Sequence, residues 1–100
     1  MRDSGWADAC PIATVALEMS SVSEPIREAC NDTFESWLDG LGARFAALGV
    51  PPEHLRELAI TFFTLLEGAF LLARASRSTE ALQVAGRAMA GTVRAVVGAT

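Results

Sequence analysis

Apolar residues recur along residues 26–48 at Ile26, Cys30, Phe34, Trp37, Leu41, Phe45 and Leu48. The steps between them are four or three residues, which is one continuous helical stripe. The opposite side carries Arg27, Glu28, Asn31, Asp32, Glu35 and Asp39. Ser23 suits the N-cap, and Glu24, Pro25 and Ile26 suit the first turn. Gly49 suits the C′ position, and Val50-Pro51-Pro52 stops the helix. Gly40 and Gly42 lie inside it, each costing roughly 1 kcal/mol against alanine. Close approach of another backbone, or a bend, would account for them.

The flanking segments are helical as well. Pro11 to Met19 predicts a first helix, with Ile12, Val15, Ala16 and Met19 on one face. Ser20-Ser21-Val22-Ser23 breaks it. A third helix is predicted from Pro52 or Glu53 to Ala75. Leu55, Leu58, Ala59, Phe62, Leu66, Ala69 and Ala73 make one face, while Ile60, Phe63, Leu65, Phe70, Leu71 and Leu72 cover much of the rest. A helix apolar nearly all round must be buried on two sides. Ser76-Arg77-Ser78 is a short turn, so the fourth helix should return antiparallel to the third. Ser78 can cap it, and its stripe is Leu82, Ala85, Gly86, Met89, Ala90 and Val93, continuing to Val96 or Val97. Small residues dominate that stripe and permit two backbones to approach. No alternating strand pattern competes, so the fold class is all-α.

Composition sharpens this picture. The chain has 100 residues, half of them apolar, which is more than a small lone domain hides comfortably. A partner is expected to cover the excess. The net charge is −4, and the eight basic residues, all arginine, are dispersed. No basic patch for phosphates exists, so these residues are not expected to bind nucleic acid themselves. Leu58 to Ala75 is long and apolar, but Glu67 sits near its middle, a costly place for a carboxylate in a bilayer. A buried helix of a non-membrane protein is the preferred reading. Cys10 and Cys30 form no CxxC pair and read as reduced thiols of a cytoplasmic protein.

Candidate chemistry is sparse. His54 is alone and reads as a solvated residue of a first turn. Glu28, Asp32, Glu35 and Asp39 resemble a carboxylate cluster but occupy the polar side of a helix. Zinc spacing and phosphate-binding glycine loops are missing. Neither an enzyme, a metal site nor a cofactor is expected. What remains is apolar: Phe34, Trp37 and Phe45 on one stripe, and Phe62, Phe63 and Phe70 on the adjoining helix, read either as core or as the lining of a small-molecule pocket. Thr33, Glu18, Thr64 and Glu67 are its candidate polar groups. Glu67 is the most unusual of them; it could pair with Arg74 or with an arginine across an interface, or meet a ligand.

Three motifs, in order, carry a resemblance. The run from Ala9 to Glu18, ACPIATVALE, resembles the GCP-x-A-x-x-ALE opening of one TetR-family subgroup, with Ala9 where glycine is usual. Phe34-x-x-Trp37-x-x-x-Leu41 follows at a similar distance. Glu67-Gly68-Ala69-Phe70-Leu71-Leu72-Ala73-Arg74 is similar to its EGA-x-x-LAR signature. The subgroup includes drug-responsive and lincomycin-resistance-type repressors.

Residues 1–10, rich in Asp, Ser and Gly, read as a loose lead-in, and the resemblance implies a C-terminal regulatory domain at 11–98. It implies an antiparallel helical domain whose last two helices, 53–75 and 79–97, form a four-helix bundle in a homodimer. Gly68, Leu71, Arg74, Leu82, Ala85, Gly86, Met89, Ala90 and Val93 are then the dimer-interface candidates. Phe34, Trp37, Leu41, Phe62, Phe63, Leu66 and Glu67 are the pocket candidates for a small hydrophobic or aromatic effector. Operator DNA would be reached only through an N-terminal helix-turn-helix domain absent from these residues. The alternative is a helical dimerisation module without an effector.

Overall fold

The computed structural model describes residues 16–98. Four helices follow one another: α1 (residues 16–19), α2 (Glu24–Ala47), α3 (Leu55–Ser76) and α4 (Glu80–Gly98). A 3-10 turn, Pro52–His54, leads into α3. Among the described residues there is no strand. The predicted start of the first helix at Pro11, and Cys10, lie outside them.

Local chemistry sets the boundaries. The Ser23 hydroxyl accepts from the Ile26 N–H at 3.4 Å, capping α2 where the sequence predicts it. Gly49, at φ 95°, takes the left-handed conformation that ends the segment. Pro51 and Pro52 lack N–H groups, so the chain restarts through a tighter turn, in which the His54 N–H donates to the Pro51 carbonyl at 3.0 Å. The sequence reading put α-helix there directly. At its other end α3 stops at Arg77, a non-glycine residue at φ 53°. The Ser78 hydroxyl then accepts from the Glu80 N–H at 3.1 Å, at the start of α4.

Helix α3 packs against both α2 and α4. Buried Ala59, Ala69 and Ala73 lie on its packed faces, where small side chains admit neighbouring helices closely. The core gathers where the end of α2, the start of α3 and the second half of α4 converge. Phe45, Val50, Leu58 and Met89 are buried there, with Leu41, Leu55, Phe62, Leu65, Val93, Val96 and Val97 packed around them. Phe45 meets Phe62 edge-on at 6.2 Å. Full burial of one such side chain stabilises by about 1.5–3 kcal/mol.

Crowding does not account for the two glycines of α2. A Cβ at Gly42 would lie 3.8 Å from Leu55 Cβ, an ordinary contact, and one at Gly40 would meet nothing.

The molecule is thin, 19 Å along its shortest axis, or about two helix diameters. Two faces of α3 are covered and a third is open, where Leu71 and Leu72 are 70% and 61% exposed. Among the described residues the segment Pro52–Ser76 is the one helix long and apolar enough to cross a membrane. A core helix of a multi-chain protein meets the same criterion.

Candidate functional site

The candidate pocket residues fall into separate groups. Phe34 and Trp37 on α2 join Phe63 on α3 in a ring cluster. Phe34 lies 5.9 Å from Trp37 and 5.4 Å from Phe63, and both pairs meet edge-on; Trp37 and Phe63 are 5.8 Å apart. These are contact distances for aromatic pairs, so the rings fill one another's space. Leu41 packs against the core. Glu67, half-buried one turn beyond Phe63, forms no ion pair with Arg74.

An ion pair ties the same two helices together. The Arg56 guanidinium donates to both Glu35 carboxylate oxygens, each at 2.9 Å. That hydrogen-bonded cation holds the Glu35 carboxyl below its ordinary range and raises Arg56 in turn. Along α2, Arg27 pairs with Glu24 and lowers its carboxyl likewise. Both pairs are solvent-exposed and contribute little to stability. Glu28, Asp32 and Asp39 are exposed. His54, expected on the surface, is half-buried at the end of the 3-10 turn. Among the described residues no group of three His, Cys, Asp or Glu could hold a metal. Cys30 is a buried free thiol.

One open volume of about 230 Å³ lies between α2 and the start of α3, lined by Leu38, Asp39, Gly42, Ala43, Leu55 and Arg56. Two more lie along the seam between α3 and α4, one on each side. The smaller is a groove of about 230 Å³ lined by Phe62, Leu65, Leu66, Leu82, Ala85, Gly86 and Met89. Two expected pocket residues, Phe62 and Leu66, are therefore here, beside four residues expected at a dimer interface. The larger groove, about 430 Å³, is lined by Thr64, Leu65, Gly68, Ala69, Leu72, Glu80, Ala81, Val84, Ala85 and Ala88. Leu65 and Ala85 are walls of both.

The interface candidates divide further. Met89 and Val93 are held in the chain's own core. Gly68 lines the larger groove, and Leu71, Arg74 and Ala90 are exposed. The open face also presents Leu72, Ala81, Val84 and Ala88, which the sequence pattern did not single out as interface. A signal for them existed, since Ala81, Val84 and Ala88 form a second apolar stripe at helical spacing.

Residues 1–88 match the family described as transcriptional regulator LmrA/YxaF-like, C-terminal domain. An uncharacterized HTH-type transcriptional regulator of Mycobacterium tuberculosis is 36% identical over 83 residues, covering 78% of this chain and 43% of that protein. The HTH-type transcriptional regulator LmrA of Bacillus subtilis is 28% identical over 72 residues, covering 72% of this chain and 38% of that protein. The chain thus spans less than half the length of the curated relatives it matches. No solved structure matches it significantly. The three ordered motifs, the all-helical architecture and the family match agree: the chain belongs to the TetR family of transcriptional regulators, in the LmrA/YxaF-like C-terminal domain group.

Proposed function

We propose that this chain is the effector-sensing and dimerisation part of a TetR-like regulator, responding to a small hydrophobic molecule. The observation that carries the reading is the pair of grooves along one helix seam. The larger borders an open apolar face on which Leu71, Leu72 and Val84 stand in solvent. A second copy of the chain covers that face and builds a four-helix bundle from two α3–α4 pairs. The smaller groove holds the effector. Leu65 and Ala85 separate the two, so an occupant on one side biases helix spacing on the other. Operator DNA is bound by a helix-turn-helix segment outside these residues, as the relatives' names suggest for them. The protein acts in the cytoplasm, and α3 serves as an interface helix.

The rival reading, a dimerisation module without an effector, is favoured by the ring cluster, because Phe34, Trp37 and Phe63 leave no space between them. One pair of measurements separates them. Sedimentation equilibrium is expected to return a dimer. A thermal-shift screen of uncharged, cationic and anionic aromatic compounds is expected to find at least one stabiliser. A dimer that no compound stabilises favours the module, and a strict monomer sinks both readings.

A further inference from the structure

We propose that the smaller α3–α4 groove takes an uncharged, compact apolar molecule of one or two fused rings, and that Gly86 sets the size it admits. The inference rests on the effector reading and specifies its ligand.

Charge comes first. Every residue lining the groove is apolar, and none brings an ionisable or hydrogen-bonding side chain. A carboxylate or ammonium seated among Phe62, Leu66 and Met89 would lose the hydration of its walled side and gain no partner there. Size follows from the volume. An apolar cavity of about 150 Å³ accepts benzene. The groove has about 230 Å³, room for one ring and part or all of a second.

Gly86 lines that room. Its backbone is not in the left-handed region, and a Cβ there would meet no atom within 4 Å. Neither backbone conformation nor crowding requires glycine, which is unfavourable inside a helix. Gly86 is itself part of the groove's lining and has open space beside it, so a larger side chain there competes with an occupant for that space.

The test uses three probes of one shape: naphthalen-2-ylmethanol, 2-naphthoate and naphthalen-2-ylmethylammonium. Calorimetric titration of the full chain should give the neutral probe at least about tenfold tighter binding than either ion. Gly86→Ala should retain that binding and Gly86→Phe should abolish it, with folding checked by circular dichroism. If Gly86→Phe fails to fold, Leu66→Trp fills the groove from the opposite wall and should abolish binding equally. An ion binding as tightly as the alcohol overturns the inference and leaves the sensing reading standing. Unchanged binding in a folded, groove-filled variant overturns it too. A dimeric chain that binds none of the probes, and is stabilised by no compound in the wider screen, removes the sensing reading and this inference with it.

Discussion

Leu72→Glu is the most direct probe of the open α3–α4 face. Leu72 is 61% exposed in the single chain. Complete burial of a leucine side chain stabilises by about 1.5–3 kcal/mol, so covering the exposed part adds about 1–2 kcal/mol. In a two-fold dimer each substitution occurs twice, giving about 2–4 kcal/mol, or a dissociation constant weakened about 30- to 700-fold. The introduced carboxylate adds its own desolvation penalty, so this range is a lower bound. Sedimentation equilibrium over a concentration series measures the constant, and circular dichroism checks that the helices persist. Val22→Glu, on an exposed apolar residue between α1 and α2, is the control and should leave assembly unchanged. A folded Leu72→Glu chain that dimerises as tightly as the parent would refute the assignment of this face to a second copy.

Three further perturbations address the fold. Phe45→Ala removes a buried ring that packs on Phe62 and should cost about 3–5 kcal/mol in a urea melt; a loss below about 1 kcal/mol would remove Phe45 from the core. Arg77→Gly relieves a side chain from the left-handed region and should gain about 0.5–1 kcal/mol, measured the same way. Arg56 holds the Glu35 carboxyl below its ordinary value of 4.5, so the pair's contribution is full above that value and is lost as pH falls through the lowered one. The stability difference between the parent and Glu35→Gln, small for so exposed a pair, should therefore shrink as pH falls below about 4.5; a difference that stays constant there would mean that the ion pair is not formed in solution.

Much of this architecture was legible because its causes are local. The caps at Ser23, Gly49 and Ser78 depend on one residue and its immediate neighbours. The α2 stripe indicated its buried residues Cys30 and Phe45, although Trp37 and Leu48 on the same stripe remain exposed. The ring cluster was only half legible. Phe62 and Phe63 are adjacent in sequence, but successive helical residues point about 100° apart. One therefore packs on Phe45 beside the α4 groove, and the other meets Trp37. Pooling them into one pocket ignored that rotation. The 3-10 turn was hidden because Pro52 and Glu53 are acceptable residues in the first turn of either kind of helix.

The turn of α4 about its own axis was not legible, and it decides how the functional surfaces are divided. Leu82, Ala85, Met89 and Val93 compete for the interior with Ala81, Val84 and Ala88, another stripe of nearly equal apolarity. The heavier stripe wins the interior, since Met89 and Val93 fill the core beside Phe45 and Leu58. The lighter one is left facing out with Leu72. The larger side chains thus bury most area within the subunit, and small ones remain where two subunits would need to approach closely. Leu65 and Ala85 stand between the two surfaces as a shared wall. Linkage makes the consequence reciprocal: an occupant of the smaller groove that strengthens or weakens assembly must be bound more tightly or more weakly by the dimer to the same factor. Ligand titrations above and below the dimer dissociation constant should therefore give different affinities, and identical affinities would show that the wall transmits nothing.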